Sequence, residues 1–265
     1  MEPVIEKNPQ PQKTDVFADY DPEVKVRTRK MMMWIIIFAV VMLFGGITSA
    51  LIVLYGKLIW LHITPPTALW ISNALIFISS ITLILSIRSM RAGKTNQAFA
   101  LYATTLALGF AFTFTQNKGW NELSARGLGS YVKTVEIDGQ KRDQTIWKNL
   151  SQMTQEYGSD YWFEMNGERL VKENGEFYKP SQPDKPVTAD IRETFNAFGA
   201  LLSILIYVHI IHLALGLIYL IVNLFRIKRG IIHSGNTLSL QISGMYWHFM
   251  GVLWLYLFFF LYYIF

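Results

Sequence analysis

The chain has 265 residues, of which 52% are hydrophobic and only 16% are charged, and it contains no cysteine. This composition excludes an ordinary soluble domain, and the lack of cysteine excludes disulfides, thiolate metal sites and a cysteine nucleophile. The formal net charge of +5 does not indicate a nucleic-acid partner, because the surplus bases lie in two short segments, Arg88 to Lys94 and Arg226 to Arg229. The sequence therefore indicates an integral membrane protein.

The chain begins with a polar, proline-containing segment, residues 1–30, which we expect to be a mobile cytosolic tail. Its last part is basic, with Lys25, Arg27, Arg29 and Lys30 just before the first apolar segment. Because that apolar segment begins about thirty residues from the start, we expect a membrane span there rather than a short cleavable signal.

Five apolar segments without Asp, Glu, Lys or Arg follow, each long enough to cross about 30 Å of hydrocarbon. They lie at about 31–56, 65–87, 95–117, 195–225 and 245–265. With the basic segments on the cytosolic side, the N-terminus is predicted inside and the C-terminus outside. The predicted architecture is an all-α integral membrane protein. Its parts are transmembrane helices 1–3 in 31–117, an external insertion in 118–194 and helices 4–5 in 195–265.

The external insertion has patterns of both helix and strand. Ile146, Leu150, Met153 and Tyr157 recur at helical spacing and predict a short amphipathic helix that stops at Gly158. Three dipeptides favour hairpin turns: Asp138-Gly139, Asn166-Gly167 and Asn174-Gly175. We therefore expect a small α+β external insertion, with a long surface loop carrying one helix as the alternative.

Aromatic residues of the insertion are expected at its surface, where they would dock on another protein or on lipid headgroups. They are Trp147, Tyr161, Trp162, Phe163, Phe177 and Tyr178.

The spans contain no carboxylate, which argues against a proton pump or a cation-coupled transporter made by this chain alone. Their histidines are His209 and His212, three residues apart in span four, and His248 in span five. Three interpretations are open: hydrogen bonding between packed helices, haem ligation, and contact with a lipid headgroup or quinone. Haem ligation requires histidines at similar depth, whereas His212 lies roughly 20 Å and His248 roughly 10 Å from the cytosolic ends of their spans.

Span four has His209 and His212 followed by Gly216, and span five has Tyr246-Trp247-His248-Phe249 followed by Trp254. With these motifs, the last two spans resemble the C-terminal part of subunit III of haem-copper cytochrome c oxidases. Weaker similarity lies upstream, including Asn73 in span two and Gln116 with Trp120 after span three. Five spans match the shorter members, which lack the first two helices of the seven-helix form.

The chain departs from the family pattern at three positions where carboxylates are frequent. Val40 and Gln241 stand where the family often has Glu, and Gly251 stands where it often has Asp. Any role that depends on those carboxylates is therefore not expected here.

The resemblance implies a non-catalytic subunit of a proton-translocating oxidase complex, with no catalytic, cofactor-binding or metal-binding residue in this chain. The haem and copper would lie in partner subunits I and II. This chain would bind phospholipid and stabilise subunit I in a bacterial-type inner membrane, and residues 118–194 would face a cytochrome c or another respiratory complex. A quinol oxidase subunit III is the first alternative, and a haem-b membrane anchor is the second.

The resemblance also assigns packing or lipid contact to eight residues: Asn73, His209, His212, Gln241, Tyr246, Trp247, His248 and Trp254. His212 and His248 are expected to hold spans four and five together. Trp247 and Trp254 are expected to meet lipid or subunit I.

Overall fold

A computed structural model describes residues 21–55, 59–63, 66–125, 130–137, 140–147, 156–159 and 161–264. Its five helices are α1 (Pro22–Tyr55), α2 (Thr67–Arg91), α3 (Thr95–Ala125), α4 (Thr188–Lys228) and α5 (Leu238–Ile264). Each contains a segment long and apolar enough to cross a membrane. The prediction of a helical, multi-pass membrane protein with five spanning helices is confirmed.

Several helices extend beyond the apolar segments. The side chain of Asp21 accepts a hydrogen bond of 3.0 Å from the amide of Glu23, and Pro22 occupies the first helical position. Asp at the N-cap and Pro at the first position both favour helix initiation. Residues 22–30, predicted to belong to a mobile tail, are therefore part of α1, and residues 1–20 lie outside the described residues.

The described residues also form eight strands, which pair in three antiparallel sheets. They are β1 (Ile59–Ile63), β2 (Ser130–Ile137), β3 (Gln140–Trp147), β4 (Tyr161–Met165), β5 (Glu168–Arg169), β6 (Val171–Glu173), β7 (Glu176–Lys179) and β8 (Gln182–Pro186). The sheet orders are β1-β4-β5, β2-β3 and β6-β7-β8. Because β1 lies between α1 and α2 and pairs with β4, the insertion is joined by backbone hydrogen bonds to the α1–α2 connection.

Two of the predicted hairpin turns are confirmed. Asn166 and Gly167 connect β4 to β5 with φ of 57° and 82°, and Asn174 and Gly175 connect β6 to β7 with φ of 51° and 85°. Positive φ at both central residues is the requirement of a type I′ turn, and Asn-Gly adopts it readily. Asp138-Gly139, between β2 and β3, lies outside the described residues.

The predicted amphipathic helix is wrong at both of its ends. Ile146 lies in β3, which pairs with β2 along its whole length, and Tyr157 forms a β-bridge with Tyr161. Leu150 and Met153 lie outside the described residues. A helical spacing of four apolar residues does not exclude a strand, because long-range pairing overrides so short a pattern. The described parts of the insertion between α3 and α4 contain strands and no helix.

The insertion has a small aromatic core, which corrects the expectation that these aromatics are all exposed. Tyr161, Phe163 and Phe177 are buried, and their rings and that of Tyr157 pack with centroids 5.1 to 6.4 Å apart. The hydroxyl of Tyr157 donates a hydrogen bond of 2.7 Å to the carbonyl of Leu170. Burial raises the pKa of Tyr157, against the opposing effects of the Phe163 amide and the Arg169 charge.

In the membrane part, α2 and α3 form an antiparallel helical hairpin, and α5 packs against α1, α2 and α4. The largest fully buried side chains include Trp247 and Trp254 of α5, Tyr102 and Phe112 of α3 and Phe44 of α1. The core of the bundle therefore lies along one face of α5.

Candidate functional site

Two tryptophans of α5 form hydrogen bonds to α2. The indole nitrogen of Trp247 donates to the Ser79 hydroxyl at 3.0 Å, and that of Trp254 donates to the Asn73 side-chain oxygen at 2.8 Å. Trp247 and Trp254 are seven residues apart, two helical turns, so both face the same neighbour. An indole N–H within hydrocarbon needs an acceptor, and α2 provides one at each level.

This arrangement corrects the expectation that Trp247 and Trp254 meet lipid or subunit I. Their exposed fractions are 0% and 1%, so both lie inside the bundle. The sequence alone predicted contact with lipid or subunit I for both tryptophans, and it gave no sign of their hydrogen bonds to Ser79 and Asn73.

A second tie joins α5 to α4. The hydroxyl of Tyr246 donates to the backbone carbonyl of His212 at 3.0 Å. A Cβ atom at Gly216 would lie 3.2 Å from the Tyr246 ring, so the glycine permits this close approach. His212 thus contributes to the packing of α4 and α5 through its carbonyl, while its ring nitrogen Nδ1 lies 2.7 Å from the Val208 carbonyl.

The expected packing role of His248 stays a prediction. Its side chain is half-buried and makes no hydrogen bond to another residue in the part of the chain that the structure describes. Because Gly216 faces Tyr246 and Trp247, His248 lies about one turn from the level of His212. That offset is smaller than the sequence predicted.

His209, one turn before His212, is enclosed by aromatic rings. Its ring centroid lies 5.5 Å from that of Trp254 and 6.5 Å from that of Phe44, and its exposed fraction is 3%. Neither ring nitrogen has a hydrogen-bond partner within the described residues.

The three departures from the family pattern fit this packing. Val40 is buried in the apolar core, and a Cβ at Gly251 would lie 3.2 Å from Ile76 Cγ1, so a carboxylate there would crowd α2. Gln241 donates to the Thr237 hydroxyl at 3.0 Å, in the first turn of α5.

Sequence reasoning missed a polar cluster near the junction of α4 and α5. Asn223 is fully buried, and its side-chain oxygen accepts a hydrogen bond of 2.6 Å from the Ser239 hydroxyl. Arg226 donates to that hydroxyl at 3.3 Å. An Asn within the apolar segment of α4 was the available signal, because a buried amide in a membrane helix needs a partner.

A cavity of about 560 Å³ lies between α3 and α4, and sequence reasoning did not predict it. Its apolar wall includes Phe110, Ile206 and Leu213, and its polar wall includes His209 and Gln116. The Gln116 amide nitrogen donates to Ser72 at 2.8 Å, but its carbonyl oxygen is buried without a partner in the described part of the chain. The pattern of each helix alone gave no sign of this cavity, because two helices form it.

These contacts define a multi-pass helical membrane protein whose last helix is held by aromatic hydrogen bonds to its neighbours. The family model described as cytochrome c oxidase subunit III matches residues 187–265, which contain α4 and α5. This C-terminal part of the chain is thus similar to cytochrome c oxidase subunit III, and the resemblance of the last two spans is confirmed.

Three relatives show the extent of the likeness. The chain is 39% identical over 74 residues to cytochrome c oxidase subunit 3 of Rhipicephalus sanguineus, covering 28% of this chain and 29% of that protein. It is 35% identical over 63 residues to that of Alkalihalophilus pseudofirmus, covering 24% and 31%. A probable cytochrome c oxidase subunit 3 of Rickettsia bellii is 43% identical over 56 residues, or 20% of each chain. The matched segments thus span less than a third of each relative's length.

Proposed function

We propose that this chain is subunit III of a respiratory cytochrome c oxidase in a bacterial-type inner membrane. The complex would transfer electrons to O2 and translocate protons. The observation that carries the proposal is the family match over α4 and α5, the segment whose Tyr246, Trp247 and Trp254 hold the bundle together.

In this proposal the chain stabilises the complex and catalyses no step. Its motif side chains support that role, because the tyrosine and both tryptophans donate hydrogen bonds to other helices of the same chain. The haem and copper belong to subunits I and II, and this chain holds neither.

The outer face of the bundle offers the surface for subunit I and for phospholipid. On α1, Trp34, Ile35 and Phe38 are 61% to 66% exposed, and such a face is stable only against apolar partners. The basic ends near Arg88 and Arg226 would lie in the cytosol and the C-terminus outside. The β-rich insertion would then face a cytochrome c or another respiratory complex.

The test is purification of the full tagged chain from its native membrane in mild detergent, with mass spectrometry and an optical spectrum of the same sample. We expect subunits I and II to co-purify with the chain, and the sample to contain haem. When the chain is then separated from subunits I and II, the haem should stay with them and not with the chain. Haem retained by the isolated chain would contradict the proposal and support a membrane anchor. A co-purifying subunit II without a dicopper site would identify a quinol oxidase instead.

The contact between this chain and subunit I can also be tested with a pair of variants. Trp34→Ala and Phe38→Ala together remove apolar area from the exposed face of α1, whereas Phe77→Ala does so on α2. If α1 faces subunit I, the α1 variant lowers the recovery of subunit I while the chain stays folded and inserted. Equal recovery from both variants would exclude the α1 face as the contact.

A further inference from the structure

Two side chains that line the cavity between α3 and α4 have polar atoms that the described part of the protein leaves unpaired. Both ring nitrogens of His209 and the carbonyl oxygen of Gln116 are buried without a partner among the described residues. The two side chains are 3% and 5% exposed, and both line the cavity. Burying a polar atom without a hydrogen bond is unfavourable, so three such atoms on two residues that line one cavity indicate an occupant.

The size and the walls of the cavity argue against water alone. Its 560 Å³ lies in the range of small-molecule sites, about 300–1,000 Å³. Phe110, Phe114 and Ile210, which line it, are 45% to 72% exposed on the outside of the bundle, where the bilayer lies. An apolar cavity that opens towards hydrocarbon does not retain many waters, whereas an amphipathic molecule enters it from the bilayer.

The polar end of the cavity limits the chemistry of the occupant. None of the described residues that line it is Asp, Glu, Lys or Arg, so nothing there compensates the charge of a phosphate headgroup. A neutral imidazole has one donor and one acceptor nitrogen, and the Gln116 oxygen is a second acceptor. A ligand group that pairs with all three unpaired atoms is therefore neutral and has two hydrogen-bond donors and at least one acceptor.

We propose that the cavity between α3 and α4 binds a neutral dihydroxy amphiphile, whose hydroxyl groups pair with His209 and Gln116 and whose apolar part lies along Phe110, Phe114 and Leu213. Two hydroxyls provide both the donors and the acceptor that the wall lacks. A membrane quinol and a monoacylglycerol share this chemistry. A quinone does not, because it has acceptors only and leaves the Gln116 oxygen unpaired. The site is independent of the proposed role in an oxidase.

The binding test uses the full chain, delipidated in detergent, and four radiolabelled probes. The quinol is kept reduced under anaerobic conditions, and the quinone is kept oxidised. The probes are a short-chain benzoquinol, the corresponding quinone, a monoacylglycerol and phosphatidylcholine. We expect saturable binding of about one quinol or monoacylglycerol per chain, and at least tenfold weaker binding of the quinone and the phospholipid. Preference for the quinol or for the monoacylglycerol identifies the source.

Variants connect the binding to the cavity. Gln116→Leu and His209→Phe keep side-chain size and remove hydrogen bonding, so each should weaken binding about tenfold. Ile210→Trp fills the cavity from an exposed position and should abolish binding without disturbing the core. Phe77→Leu, an exposed change on α2, should leave binding unchanged.

Three outcomes would overturn the proposal: no saturable binding of either dihydroxy probe, binding that Ile210→Trp leaves intact, or phospholipid bound as tightly as the neutral probes. Because no partner subunit is present in the assay, these results are separate from any failure to recover subunits I and II.

Discussion

Trp254 connects α5 to neighbouring helices through both ring packing and a hydrogen bond. Its ring packs between His209 and Phe112, with centroids 5.5 and 5.9 Å away, while its N–H reaches Asn73 at 2.8 Å. Hydrogen bonds between membrane helices contribute about 0.6 kcal/mol on average, so most of the contribution of this residue comes from packing.

We therefore expect Trp254→Phe, which loses the N–H and part of the ring volume, to lower the free energy of unfolding by about 2 kcal/mol. Unfolding in mixed micelles at increasing fractions of a denaturing detergent, followed by circular dichroism, measures this change. Phe259→Leu, at a position 57% exposed, is the matched control and should change little. Equal losses from both variants would show that burial at Trp254 does not decide stability.

Gly109 is a second position where one residue determines packing. A Cβ there would lie 2.9 Å from both Trp247 Cη2 and Leu217 Cδ2, closer than non-bonded carbons approach. Gly109→Ala should thus cost about 1–3 kcal/mol through overpacking, measured in the same unfolding assay. A Cβ at Gly45 of α1 meets nothing within 4 Å, so Gly45→Ala should be neutral or slightly stabilising. A neutral Gly109→Ala variant would mean that Trp247 can shift.

Among the elements, the β-rich insertion depends on a half-buried tyrosine, Tyr157. Burial raises the pKa of Tyr157 above its usual value near 10, so the folded state holds the phenolic proton more tightly than the unfolded state. Its contribution to stability is complete below about pH 10 and is lost as the pH rises through the raised pKa. Burial also raises the pKa of Tyr161, which adds to the same loss.

We expect the thermal unfolding temperature of the insertion to fall as the pH rises above about 10, with a shallower fall in Tyr157→Phe. Near-ultraviolet circular dichroism, which reports the packed aromatic rings, is the measurement. The variant also loses the hydrogen bond to Leu170, so it should be less stable at pH 7. Equal slopes in the two proteins would show that Tyr157 does not titrate with unfolding.

For the molecule as a whole, the membrane orientation is open to a direct test because the chain has no native cysteine. Asn236→Cys lies in the connection between α4 and α5, Lys94→Cys between α2 and α3, and Ser181→Cys in the insertion, all at exposed positions. A membrane-impermeant thiol reagent added to intact cells should label Ser181→Cys alone. The other two should react only after the membrane is opened, because their loops are basic and predicted to be cytosolic. The reverse pattern would invert the orientation.

The number of spans and the hairpin turns could be predicted because they depend on local chemistry. A run of about twenty apolar residues has one stable environment, and Asn-Gly favours positive φ wherever strands flank it. The helix end at Ala125 could not be found in the same way. Beyond the hydrocarbon, polar residues continue a helix or leave it at little difference in free energy.

The sequence by itself determined that this is a five-span helical membrane protein whose last two spans resemble cytochrome c oxidase subunit III, since apolar length and a short motif are local properties. Only the tertiary structure decided what the motif side chains touch. It placed Trp247 and Trp254 against Ser79 and Asn73, which are 168 and 181 residues away in the chain. It also left the ring nitrogens of His209 and the side-chain oxygen of Gln116 without a partner among the described residues. The physical reason is that the partner of a polar group within hydrocarbon is a neighbour in space, and the neighbours of each group depend on how the helices pack.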